Sequence, residues 1–215
     1  FPERRDFFLE GQGIFAFGGV VSGTNAVATD TPVMFFSRRI GLNNGRPVPI
    51  VGGGRLTGKA GPYSIGVLDI QSGDEPEAAA RPTNFAALRV KRELFGRSNV
   101  GMIYTRRAET SGGTGAAETF GLDALYSASR SLNLYTYAAR TRTPGVRGDD
   151  ASYRVNFDYN ADRYGLQLEQ LAVGANFNPA IGFARRNDFR RQFVVARFSP
   201  RPARTHMRGV RRFLY

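Results

Sequence analysis

Ala151-Ser152-Tyr153-Arg154-Val155-Asn156-Phe157-Asp158-Tyr159-Asn160 alternates without a break. Ala151, Tyr153, Val155, Phe157 and Tyr159 share one parity, and Ser152, Arg154, Asn156, Asp158 and Asn160 share the other. Successive side chains of an extended strand point to opposite faces, so the stretch reads as a strand with one apolar and one strongly polar face. After a short turn near Ala161, Tyr164, Leu166 and Leu168 alternate with Gly165, Gln167 and Glu169 on a return strand. Phe120, Leu122, Ala124 and Tyr126 repeat the pattern against Thr119, Gly121 and Asp123.

Working outward, the same hairpin recurs. Residues 48–59 pair with 63–71, 84–92 with 100–107, 119–127 with 132–141, and 151–160 with 164–173. The tight turns centre near Gly61, Gly96, Ser129 and Ala161, roughly 33–35 residues apart. Longer polar loops fall between them at 72–82, 108–117, 141–150 and 175–189. A further strand is expected at 191–199, a first one at 32–41 before a turn at Asn43-Asn44-Gly45, and the start of another at 207–215. That makes about ten or eleven strands. Residues 1–31 carry aromatics and glycines without a clean period and read as a plug-like segment ahead of a strand region over 32–215.

Alternation alone suits two architectures. In a soluble sandwich the apolar face packs inward and the polar face meets water. In a porin-like barrel the apolar face meets lipid and the polar face lines the lumen. Strands of about ten residues, tyrosines flanking the turns (Tyr126, Tyr159, Tyr164) and the alternation of short turns with long loops lean toward the barrel. The absence of tryptophan leans the other way, because interfacial girdles are usually richer in it. No apolar run approaches the ~18–20 residues of a membrane-spanning helix.

Composition narrows the chemistry. With no cysteine and one histidine, His206, the chain has no thiolate metal site and no multi-histidine centre. Net charge is +12, and residues 185–215 hold ten arginines against one acid, Asp188. Paired arginines recur at 38–39, 106–107, 185–186, 190–191 and 211–212. In a strand, one member of each pair would face the lumen and the other snorkel to headgroups. Interleaved with Phe189, Phe193, Phe198 and Phe213, the basic tract also suits a soluble domain that binds nucleic acid, although none is expected as a partner of the barrel.

Gly53-Gly54-Arg55-Leu56-Thr57-Gly58-Lys59 has the spacing of a phosphate-binding loop. Ala60 stands where Ser or Thr would ligate Mg²⁺, and Gly61-Pro62 stops the required helix, so a glycine-rich strand running into a turn is the better reading. Asp69, Glu93, Asp123, Asp158 and Glu169 are the acids to consider for catalysis, but no spacing forces two of them together. No catalytic, cofactor or metal residue follows. The chain lacks an initiating Met and a signal peptide, and is expected to be a piece of a longer precursor.

Several strings together resemble one family. Phe1-Pro2-Glu3-Arg4-Arg5-Asp6-Phe7-Phe8-Leu9-Glu10-Gly11, Phe36-Ser37-Arg38-Arg39-Ile40-Gly41, Arg55-Leu56-Thr57-Gly58-Lys59 with Tyr63-Ser64-Ile65-Gly66-Val67-Leu68-Asp69-Ile70-Gln71, and Val173-Gly174-Ala175-Asn176-Phe177-Asn178-Pro179-Ala180-Ile181-Gly182-Phe183 are similar, in order, to stretches of the domain of unknown function 5916 family. The resemblance implies a bacterial outer-membrane β-barrel placed behind a carbohydrate-binding module of family-9 type that this chain does not include. It also implies barrel strands beyond Tyr215. Some relatives carry a membrane-associated hydrolase label, but no catalytic residue carries over.

The expectation is therefore an all-β, antiparallel up-and-down transmembrane barrel, partial in this chain, in the outer membrane of a Gram-negative bacterium. Its expected role is a pore or surface component linked to carbohydrate binding or uptake, with outer-membrane lipid as partner and no cofactor. A hydrolase using lumen or loop carboxylates is the first alternative, and the nucleic-acid-binding domain the second. Asp123, Arg154, Asn156, Asp158, Gln167 and Glu169 are expected to face the lumen. Phe120, Leu122, Tyr153, Val155, Phe157, Leu166 and Leu168 are expected to face lipid.

Overall fold

The computed structural model describes residues 5–9, 12–19, 30–111 and 115–200. The tract at 207–215, with His206 and Arg211-Arg212, lies outside them, as do Phe1 to Arg4 of the family-like opening. Two short strands come first, β1 (Leu42–Asn43) and β2 (Arg46–Pro47). Asn44 and Gly45 between them both have positive φ, 49° and 77°, the geometry of a two-residue hairpin turn and the reason an Asn-Gly pair stands there.

Nine long strands follow: β3 (Ile50–Ala60), β4 (Tyr63–Ser72), β5 (Thr83–Leu94), β6 (Ser98–Glu109), β7 (Ala116–Ser127), β8 (Leu132–Arg142), β9 (Ala151–Asn160), β10 (Tyr164–Val173) and β11 (Phe189–Phe198). They form one antiparallel up-and-down sheet in which every neighbour in sequence is a neighbour in space. The sheet is open, with β3 and β11 at its edges. The four tight turns and the four longer loops fall where the alternation placed them, so all the turns lie at one end of the sheet and all the loops at the other. The glycine-rich 53–59 stretch is the body of β3, with no helix after it, which removes the phosphate-loop reading. No helix among the described residues is long and apolar enough to cross a membrane.

The expected strand at 32–41 is not formed. That segment makes isolated bridges, Val33 to Phe183 and Phe35 to Ile181, and then a 3-10 turn over Ser37–Arg39. The reason is burial: Val33, Met34 and Phe35 are buried in succession, so the run has no solvent or lipid side and no period of two. The segment lies in the core together with Phe15 and Phe17 near the N-terminus and with Phe177 and Ile181 from the β10–β11 loop. These side chains pack on Leu68 and Ile70 of β4, Phe85 of β5, Ile103 of β6, Tyr137 of β8 and Leu171 of β10. Phe15 stacks on Phe35 with ring centres 4.5 Å apart, and Phe17 meets Tyr137 at 5.5 Å. Arg5 ties the helical turn at Asp6–Leu9 to this layer by donating to the carbonyls of Ser37 and Ile40.

Glycines on the covered face make room for the inserted chain. A Cβ on Gly66 would lie 2.8 Å from Ile14, and one on Gly121 would lie 2.6 Å from the Phe17 ring. The sheet is therefore hollowed where the aromatic side chains enter it.

Candidate functional site

On β7 and β9 the covered face is the polar one, whereas on β4, β5 and β6 it carries the core side chains Leu68, Ile70, Phe85 and Ile103. On β7, Thr119 and Asp123 are 0% and 8% exposed, whereas Phe120 and Leu122, which point the other way, are 47% and 50% exposed. On β9, Ser152 and Asn156 are buried and Tyr153 and Val155 exposed. A sheet that keeps its apolar side chains out of a water-facing surface would show the reverse.

Register carries the partition across the strands. Asp158 faces Gln167, Asn156 faces Glu169, and Arg154 faces Leu171 on the covered side of β9 and β10. Asp123, Arg154, Asn156, Asp158, Gln167 and Glu169 thus share that side. Phe120, Leu122, Tyr153, Val155, Phe157, Leu166 and Leu168 share the opposite one. The middle of the opposite face carries Ile65, Val67, Leu88, Val90, Met102, Leu134 and Val194 as well, and no charge. Tyr63, Tyr126, Tyr159, Tyr164 and Phe198 border it at the turn end. Tyr164 and Phe198 stack there with ring centres 5.3 Å apart. Asp69, Arg106, Glu118, Arg140 and Arg142 border it at the loop end.

Two ionic clusters lie within the covered face. Arg89 of β5 donates two parallel bonds to Asp123 of β7, Nη1 to Oδ1 at 2.6 Å and Nη2 to Oδ2 at 2.8 Å. The side chains are two strands apart, and the pair crosses β6 over Gly101, where a Cβ would meet Arg89 at 2.6 Å and Asp123 at 2.9 Å. The second cluster centres on Glu169. It accepts from Arg154 Nε at 2.8 Å, Asn156 Nδ2 at 3.1 Å and Arg191 at 2.6 Å. Arg191 also donates to Asp30 at 2.9 Å. Planar guanidinium-to-carboxylate pairing satisfies the lone pairs that burial would otherwise strand.

Both clusters hold the N-terminal segment. The Gly18 amide donates to Asp123 Oδ2 at 3.1 Å, and its carbonyl accepts from Arg154 at 3.4 Å. Gly18 and Gly19 have φ of +62° and +77°, a turn that brings this peptide between the two clusters. Arg89 also lies over the Phe17 ring, 5.4 Å from its centre.

The remaining candidate acids stand apart from this site. Asp69 lies on the uncovered face and accepts from Asn84, and Glu93 pairs with Lys59 on the surface. No group of three or more acidic, His or Cys side chains among the described residues has the arrangement to hold a metal ion. Of the arginine pairs, 106–107 and 190–191 lie in strands and split between faces, with Arg107 over the Phe85 ring and Arg191 on Glu169. Arg38-Arg39 sits in the 3-10 turn and Arg185-Arg186 in the last loop. Phe189 and Phe193 are on the covered side of β11 and Phe198 on the other, so the basic tract does not present its aromatics on one stacking surface.

Sequence reading passed over Arg89, Gly18 and Gly101, and named Arg191 only as a member of an arginine pair. Parity alone does not single out Arg89, because Phe85 and Ala87 precede it on its face and Lys91 and Glu93 follow it. No family model, no curated protein and no solved structure matches the chain.

Proposed function

We propose that this sheet is part of the wall of a bacterial outer-membrane β-barrel, with its uncovered apolar face against lipid and its polar face turned inward around the inserted N-terminal segment. The observation that carries the reading is the inverted partition of β7 and β9, polar side chains covered and large apolar side chains exposed. In water, an apolar face spread over eight strands, β4 to β11, is far beyond the few hundred Å² that soluble monomers leave open. In lipid it is the low-energy surface. Strands of 10–12 residues advance about 33–40 Å, which at a tilt near 45° gives about 23–28 Å, close to the ~25 Å apolar band of a membrane barrel. The tyrosine border at the turn end and the charged border at the loop end fit the two interfaces of such a span.

The open sheet constrains how the wall closes. Each exposed edge in lipid would leave N–H and C=O groups unpaired at several kcal/mol apiece. In an up-and-down run of nine strands, β3 and β11 point the same way. Antiparallel closure therefore needs an odd number of further strands and an even total, as in single-chain bacterial barrels.

The barrel serves as an integral surface component whose interior is occupied rather than open, linked to carbohydrate by the family resemblance alone. The hydrolase alternative gains no support from Asp123 and Glu169, whose oxygens are committed to arginine. The test is insertion. The full chain, purified in detergent and mixed with phosphatidylcholine vesicles, is expected to float with them after an alkaline carbonate wash, and to migrate differently on gels with and without boiling. A chain that stays monodisperse in detergent-free buffer and does not float contradicts the proposal.

A further inference from the structure

The loop-end border of the apolar face holds a feature that the barrel reading does not use. The β8–β9 loop and the outer ends of β7 and β8 line an open cleft of about 1150 Å³. Its cationic side chains are Arg140 and Arg142 from β8 and Arg147 from the loop. Tyr104 and Phe120 form its floor, and Phe120 continues directly into the apolar band through Leu122.

The acids in the cleft orient the arginines without saturating them. Arg140 gives its Nε to Asp150 at 2.8 Å, which leaves its two terminal nitrogens with no protein partner among the described residues. Arg142 lies 3.6 Å from Glu118, which also accepts from the Tyr104 hydroxyl at 2.6 Å. The Arg140 and Arg142 side chains are largely exposed. The cleft is also built rather than incidental. Its loop is closed by the Thr141 amide on the Asp150 carbonyl at 2.9 Å, and is tied to the next loop by Asn176 on the Gly148 carbonyl at 2.9 Å and by the Ala175 amide on Asp149 at 2.7 Å. Gly145, Gly148 and Asp149 take the positive φ values this path requires.

We infer that this cleft binds the phosphate of a lipid headgroup, with Arg140, Arg142 and Arg147 on the phosphate oxygens and the first part of an acyl chain on Phe120 and Leu122. Guanidinium groups match phosphate oxygens in paired donor geometry. An unsaturated arginine cluster at the edge of an apolar band sits at the depth where lipid phosphates lie. The inference rests on the membrane reading, since the acyl contact requires the apolar face to be in lipid.

Native mass spectrometry of the full chain in detergent, titrated with phosphatidic acid, tests it. One molecule is expected to be retained, with affinity falling at least tenfold in the R140Q/R142Q/R147Q variant and unchanged in R92Q, since Arg92 stands beside Tyr63 at the turn-end border. Inorganic phosphate at millimolar concentration is expected not to displace it. Displacement by inorganic phosphate would mark a free-phosphate site, and equal retention by the triple variant would mean lipid binds elsewhere; either overturns the inference. Floating all variants with phosphatidylcholine vesicles separates the two levels. Flotation without selective phosphatidic acid retention defeats this inference alone, and no flotation of the parent chain defeats the membrane reading and this inference with it.

Discussion

At the scale of residues, Arg89 and Asp123 are the pair on which most depends. Burying either charge alone is expensive, while burying both with two parallel hydrogen bonds is tolerable. Arg89→Ala or Asp123→Ala is therefore expected to cost about 3–5 kcal/mol, and the Arg89→Leu/Asp123→Leu double variant much less, measured by urea unfolding of the vesicle-inserted chain. Equal loss in single and double variants would show that the pair does not act as a unit. Gly101→Val should weaken the fold through the same pair, because its side chain would occupy the space in which the two charges meet. Asp123 was legible as a polar-face residue from Phe120-Gly121-Leu122-Asp123 alone. Its partner was not, because Arg89 sits in Arg89-Val90-Lys91-Arg92-Glu93, where one charge among four looks ordinary. Only register across two strands, and a glycine in the strand between, makes it the buried one.

At the scale of elements, the two faces of β9 and β10 predict opposite tolerance. Leu168→Arg puts a charge in the middle of the apolar band and is expected to cost about 2–4 kcal/mol, whereas Gln167→Arg one residue away, on the polar side, should cost far less. The same unfolding assay compares them, and a larger loss at Gln167 would reverse the assignment of faces. These strands could be read from sequence because period-two alternation is a local property of ten residues. The segment at 32–41 could not, because Val33, Met34 and Phe35 owe their burial to Phe15, Phe177 and Ile181, none of them local. Its apolar run is equally what a fully buried strand would show.

At the scale of the whole molecule, the turn-and-loop rhythm gave the sheet order, and the register gave each strand two faces. What sequence left open was which face is covered, since a sandwich and a barrel share one alternation. The structure places the inserted chain on the side that carries Asp123 and Glu169, packed on the core side chains there and held through Gly18 by both ionic clusters. The apolar side is left uncovered from β4 to β11. The central claim, that this uncovered side meets lipid, can be tested directly because the chain has no cysteine of its own. Single cysteines at Val155, Phe157 and Leu168, and at Asp158 and Gln167, carry an environment-sensitive fluorophore in vesicles containing nitroxide-labelled acyl chains. The account predicts strong quenching at 155, 157 and 168 and little at 158 and 167. Quenching at 158 and 167 instead, or at none of the five, would contradict it.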